Sequence, residues 1–355
     1  MTISKLLSIL AIISMICTTL MGMNVAPQLD SSTSDQAFSG ALEGLAYRPA
    51  AGMWSIFSTY ESLVSDSYFD AKEKEISYKD LFYALTYPNG LYFDPEVTTA
   101  VLVSGIHLGL TERFGLSARI PIILRQKMTY NSLSGVNIGI SDPEGETGLA
   151  DIHVGGWFRL WQKPGLQMIL NGYYRLTTGS SPEDLDESNL SPTSEGQNAI
   201  RIGGAGDFQL PMGLFLGLSG DYTIFTETSM KLDTLTYSYF FQASPWVMSN
   251  MEFDGSNVDI QSGNLIAING RLATNQMLPF AVGLDVHFLS SAETMLNGED
   301  VADTDNWMTA VRPTVGYQLN LGTYNLNLQG SYYHTINGKS YDIFNGYRLA
   351  FRLLF

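Results

Sequence analysis

The last nine residues, Tyr347-Arg348-Leu349-Ala350-Phe351-Arg352-Leu353-Leu354-Phe355, carry the tightest constraint in the chain. Every odd position is large and apolar, and two even positions are arginine. A strand turns successive side chains to opposite faces, so this stretch has one greasy and one polar face. The same two-residue period returns upstream. Leu214, Leu216, Leu218, Tyr222 and Ile224 alternate with Ser219, Asp221 and Thr223. Phe280, Val282, Leu284, Val286 and Phe288 alternate with Ala281, Gly283, Asp285 and His287. No comparable helical period occurs beyond the first twenty residues.

The pattern predicts twelve strands, near 51–64, 97–109, 114–127, 149–161, 166–178, 198–209, 213–226, 259–273, 279–290, 307–319, 323–335 and 343–355. Every second connection is short: Leu110–Arg113, Trp161–Gly165, Leu210–Gly213, Thr274–Leu278 and Asn320–Gly322. The others, 65–96, 128–148, 179–197, 227–258, 291–306 and 336–342, are mostly long. Tight turns at one end and long loops at the other are the mark of outer-membrane barrels. The expectation is an all-β fold, a transmembrane antiparallel up-and-down β-barrel of about 12 strands. An aromatic segment, 235–248, leaves 14 open if it forms another hairpin.

Arginine placement separates the two faces. Arg119, Arg125, Arg159, Arg175, Arg201, Arg271, Arg312, Arg348 and Arg352 all fall opposite the apolar set on their strands. A charge facing lipid near the midplane costs about 2–4 kcal/mol. These residues are therefore expected to line the lumen, with Asp151, His153, Asp207, Asp221, Asp285 and His287. Two readings stand. The charges satisfy one another and fill the barrel like any core, or they line a pore that selects anions or polar solutes. On the apolar face, Tyr174, Trp307, Tyr317, Tyr324, Tyr332, Tyr347 and Phe355 sit near strand ends, as interfacial belts do.

Lys5 precedes an apolar run from Leu6 to Leu20, which reads as a secretory signal over 1–22. Residues 23–50 are expected to form a periplasmic N-terminal segment or a plug, and 51–355 the barrel. Past Met23 no run of 18 apolar residues occurs, so no helical span is expected. Acidic residues outnumber basic ones, 35 to 19, for a net charge of −16, which argues against nucleic acid as a partner. The single cysteine, Cys17, lies in the signal, which leaves no disulfide, thiolate metal site or cysteine nucleophile downstream.

The terminal strand, with Tyr347, Leu349, Phe351, Leu353 and a final Phe355, resembles the C-terminal targeting strand of Gram-negative outer-membrane barrels. That resemblance implies insertion into outer-membrane lipid by the barrel-assembly machinery. A second resemblance covers roughly 97–225. Gly109-Leu110-Thr111-Glu112-Arg113-Phe114-Gly115-Leu116 is similar to the first periplasmic turn of transporter-like barrels related to the phenol meta-pathway outer-membrane proteins. Gly148-Leu149-Ala150-Asp151-Ile152-His153-Val154-Gly155 resembles their glycine-aspartate strand start. Leu176-Thr177-Thr178-Gly179-Ser180 resembles their Pro-Thr-Gly strand end, with Thr177 where proline is usual. These short motifs carry no substrate.

Little in the chain suggests chemistry. His153 stands two places from Asp151, and His287 two from Asp285, each pair on one strand face. Luminal hydrogen bonding explains both pairs; a hydrolase with a luminal or rim His is the alternative. The acidic stretch Gly298–Asp305 does not match a calcium-binding loop. No metal or cofactor is expected, and the chain is not expected to be an enzyme. Residues 68–93 and 235–248 are aromatic loops that could cap the mouth or admit apolar solutes. The leading expectation is a passive outer-membrane channel or transporter for small solutes, hydrophobic or aromatic ones among them. A structural or surface-binding barrel with acidic extracellular loops is the third reading.

Overall fold

A computed structural model describes residues 42, 45–80, 93–132, 144–184, 191–231, 256–274, 280–302, 304–322 and 324–355. The expected signal and the aromatic segment 235–248 lie outside them.

Twelve long strands close into one antiparallel barrel. They are β1 (Trp54–Ser65), β2 (Phe93–Gly109), β3 (Phe114–Ser132), β4 (Ile152–Lys163), β5 (Leu166–Leu176) and β6 (Ala199–Leu210). The second half comprises β7 (Leu214–Phe225), β8 (Leu265–Thr274), β9 (Phe280–Ser291), β10 (Asn306–Leu321), β11 (Tyr324–Lys339) and β12 (Asn345–Leu354). Each strand pairs with its sequence neighbours, and β12 pairs with β1 to complete the circle. The seam is knotted at its end by Trp54 and Phe355, whose amides each donate to the other's carbonyl at 2.7 and 3.0 Å. Closure matters because lipid offers backbone groups no hydrogen-bond partner.

Alternation sorts the side chains as the period requires. Leu272, Leu284, Leu349 and Ile202 lie exposed on the outer face, while their strand neighbours Arg271, Asp285 and Asp207 are buried inside. Apolar exposure on this scale is costly in water and is satisfied by acyl chains. Aromatic pairs stud the outer rim: Phe280 with Tyr317 at 4.6 Å, Tyr324 with Phe355 at 6.3 Å, and Phe288 with Trp307 at 6.2 Å.

The connections obey the predicted segregation. Leu110 to Arg113 turns tightly, its amides at Leu110 and Thr111 both donating to the Phe114 carbonyl at 3.0 and 2.9 Å. Pro211–Gly213 turns with Met212 and Gly213 at positive φ. At the opposite end, strands run past the about 9–11 residues that span a bilayer; β3 has 19 residues and β2 has 17. Small sheets cover that rim. Ser67–Phe69 pairs with Glu75–Ser77 and Tyr341–Asp342. Thr228–Lys231 pairs with Asn257–Gln261, which continues to Met295–Leu296. The expected strand 259–273 is thus two: 257–261 leaves the barrel for the rim, and β8 begins at Leu265. Gly263 sits at that break, where a Cβ would lie 1.7 Å from the Ala292 carbonyl oxygen.

Candidate functional site: the lumen

The barrel encloses a cavity of about 590 Å³. Arg119, Arg201, Asp221, Arg271, Asp285, His287, Arg312, Arg348 and Arg352 all line it. Three of these meet on one row. Arg271 lies opposite Asp285 on β9, and Asp285 lies opposite Arg312 on β10. Arg271 donates to Asp285 from Nε at 2.6 Å and Nη2 at 2.9 Å; Arg312 donates from Nε at 3.0 Å and Nη2 at 2.9 Å. One carboxylate thus accepts from two guanidiniums in a buried setting, where such bonds are strong but their desolvation is expensive. Arg201 reaches Asp221 at 2.5 Å on the neighbouring strand. His287 is hydrogen-bonded through Nδ1 to Asn269.

Asp151, His153 and Arg175 line a second cavity of about 220 Å³ nearer the long loops. Asp151 accepts from the amides of Thr178 and Gly179 at 3.1 and 3.4 Å and lies 3.5 Å from Arg175. Arg175 also binds Glu195 at 2.9 Å. Each His–Asp pair of the sequence therefore shares a strand face, but the aspartates are held by arginines and amides and the acceptor on His287 is an amide. Among the described residues no group of three or more His, Cys, Asp or Glu is placed to hold a metal ion.

Arg125 departs from the expected face. A register shift between Ala100 and Val101 opposes Ala100 to Arg125 and Val101 to Ile123. The extra residue breaks the alternation of β3. Arg125 then shares the face of Ala100 and of its partner Ser62, and it is exposed rather than part of the cavity wall.

At the short-turn end, Leu42 and residues from Leu45 onward pack against the inner wall. Asp207, fully buried, accepts from the amides of Leu45 and Ala46, both at 2.7 Å. Leu42 is buried against Tyr47 of its own segment and against Phe215, Ala273, Ala281 and Leu354 of β7, β8, β9 and β12. Ala46 packs on Ile169 and Ala205 from β5 and β6. Arg159 ties the exit, donating to the carbonyls of Arg48 at 3.0 Å and Glu112 at 2.8 Å. Small inward residues make the room. A Cβ on Gly217 would stand 3.1 Å from Leu45, and one on Gly283 would stand 3.0 Å from Leu42.

Several lining residues escape sequence reasoning. Arg48 lies outside any periodic stretch. Phe57, Thr59 and Glu61 alternate on β1, and His107 follows Gly105 on β2, so their face was readable, but neither strand carries an arginine there to mark it. Tyr173 carries no charge either, yet it lies beneath Arg119, whose Cζ is 4.7 Å from the ring centre.

The chain resembles an outer membrane channel from Pseudomonas putida F1 in crystal form, with a TM-score of 0.59 and 12% identity over 93% of this chain and 99% of that one. A FadL homologue from Pseudomonas aeruginosa is more distant, with a TM-score of 0.39 and 9% identity over 93% of this chain and 98% of that one. No curated protein matches the sequence. The first likeness agrees with the closed twelve-strand barrel. A family model matches residues 88–353, and the chain belongs to the family described as the putative MetA-pathway of phenol degradation.

Proposed function

We propose that this barrel passes small solutes passively across the outer membrane, through a lumen that its N-terminal segment narrows at the periplasmic end. The observation that carries the reading is the 590 Å³ cavity inside the closed wall, a volume in the range of small-molecule sites. Its lining mixes arginines and carboxylates with Phe57, Val101, Val103 and Tyr173, so the wall offers both polar and apolar contact. Leu42 and residues 45–53 act as the plug, and Asp207 is its latch. The terminal strand from Tyr347 to Phe355, which closes the seam with β1, serves as the assembly signal read by the barrel-assembly machinery.

Liposome swelling and planar-bilayer conductance test the reading. The full-length barrel should pass small solutes slowly, and a variant lacking residues 24–50 should pass them faster. A barrel that stays tight to every solute with and without that segment removes the proposal.

A further inference from the structure

We propose that the plug-side half of the lumen is a binding site for an organic carboxylate carrying an apolar body. The inference deepens the channel reading and rests on it only for the lumen being reachable by solute. Of the carboxylates lining the cavity, Asp285 is engaged by Arg271 and Arg312 and Asp221 by Arg201, while Glu61 stands opposite Arg348, four residues along β1 from Phe57. Arg48 and Arg119 have neutral partners instead. Arg48 donates from Nη1 to the Tyr47 and Leu45 carbonyls at 2.6 and 3.4 Å. Arg119 donates to the Tyr173 hydroxyl at 3.4 Å. The Nε of each is buried without a hydrogen-bond partner.

His107 marks the same place independently. It lines the cavity, is 2% exposed, and its Nδ1 has no hydrogen-bond partner. The charged groups facing it are Arg48, Arg352 and Arg119, with no carboxylate among them. Buried polar atoms are normally satisfied, and buried guanidiniums are normally paired. A planar carboxylate accepts bidentate bonds from guanidinium and supplies the missing negative charge. The neighbouring wall is apolar: Phe57 stacks on His107 with centroids 4.9 Å apart, and Val101 and Val103 follow on β2. A mineral anion would leave that surface uncovered, whereas an amphipathic carboxylate covers it.

Benzoate, its neutral isostere benzamide, and inorganic phosphate are the probes, titrated calorimetrically into the full-length barrel in detergent. Benzoate should bind about tenfold or more tightly than benzamide, as charge-assisted bonds to a buried site require. Arg119→Gln should abolish that preference and Arg119→Lys should restore part of it, each variant first shown to be a folded, heat-modifiable barrel. Equal affinity for benzoate and benzamide, full displacement of benzoate by equimolar phosphate, or an unchanged preference in Arg119→Gln overturns the proposal. Swelling with a neutral sugar reads permeation separately. Selective binding without flux sinks the channel reading and keeps this one; flux without selectivity does the reverse.

Discussion

Replacing Asp207 with alanine should release the N-terminal segment while leaving the barrel intact. The carboxylate accepts the Leu45 and Ala46 amides at 2.7 Å each from a fully buried position. A hydrogen bond to a charged group contributes about 1.5–3 kcal/mol, so two contribute about 3–6 kcal/mol to docking. The released amides find water, and no charge remains to be desolvated, so the lower end governs. About 3 kcal/mol shifts the docked-to-released ratio by roughly a hundredfold. The frequency of large open events in single-channel recordings should rise by about that factor, approaching the variant without residues 24–50. Asp207→Asn keeps one acceptor oxygen and should fall between. The strand ladder of β6 does not involve this side chain, so heat-modifiability on a gel should be unchanged. Open-event statistics identical to wild type in Asp207→Ala, alongside frequent opening in the truncated barrel, would refute the latch.

Asp285→Ala leaves Arg271 and Arg312 buried without their shared partner and should destabilise the barrel by about 3–5 kcal/mol in denaturant titration. Leu284→Arg, one residue away on the outer face, should cost about 2–4 kcal/mol in the same assay through lipid exposure of charge. At the rim, burial raises Asp342 above the usual carboxylate range, against the opposing effect of a 2.6 Å bond from the Tyr78 hydroxyl. A raised acid favours its protonated form in the folded state. The small sheet of 67–69, 75–77 and 341–342 should therefore be most stable at low pH and lose stability as pH rises through the shifted value. Amide exchange of that sheet, corrected for intrinsic rates, should speed up across the window in wild type but not in Asp342→Asn; equal pH responses would contradict the assignment.

Much of this architecture is legible in the sequence because a membrane barrel obeys a strict local rule. Leu214 to Ile224 must alternate to keep apart lipid and lumen, and the turn at Leu110–Arg113 is closed locally by two amides on the Phe114 carbonyl. What escaped is non-local. Leu45 and Asp207 are 162 residues apart, and nothing in the non-periodic segment around Leu45 announces its destination. Gly217 and Gly283 did leave a trace, as small residues on an inner face. Arg125 was misplaced because parity counting cannot see an inserted residue, and the shift beside Val101 inverts the face beyond it. The pairing of Asp285 with two arginines was hidden too, since it depends on three strands being aligned.

That alignment reaches beyond β8, β9 and β10. A cylinder of strands has no loose margin where a misalignment can be absorbed, because each staggered neighbour fixes the next until the circuit returns to its start. Sliding β9 by a single residue would swing Asp285 into the acyl chains and strand two guanidiniums, so that slip is penalised at the very middle of the wall. One horizontal trio of charges therefore acts as a keyway for the whole circumference, selecting a single stagger among the many that the greasy exterior, indifferent to sliding by two, would accept.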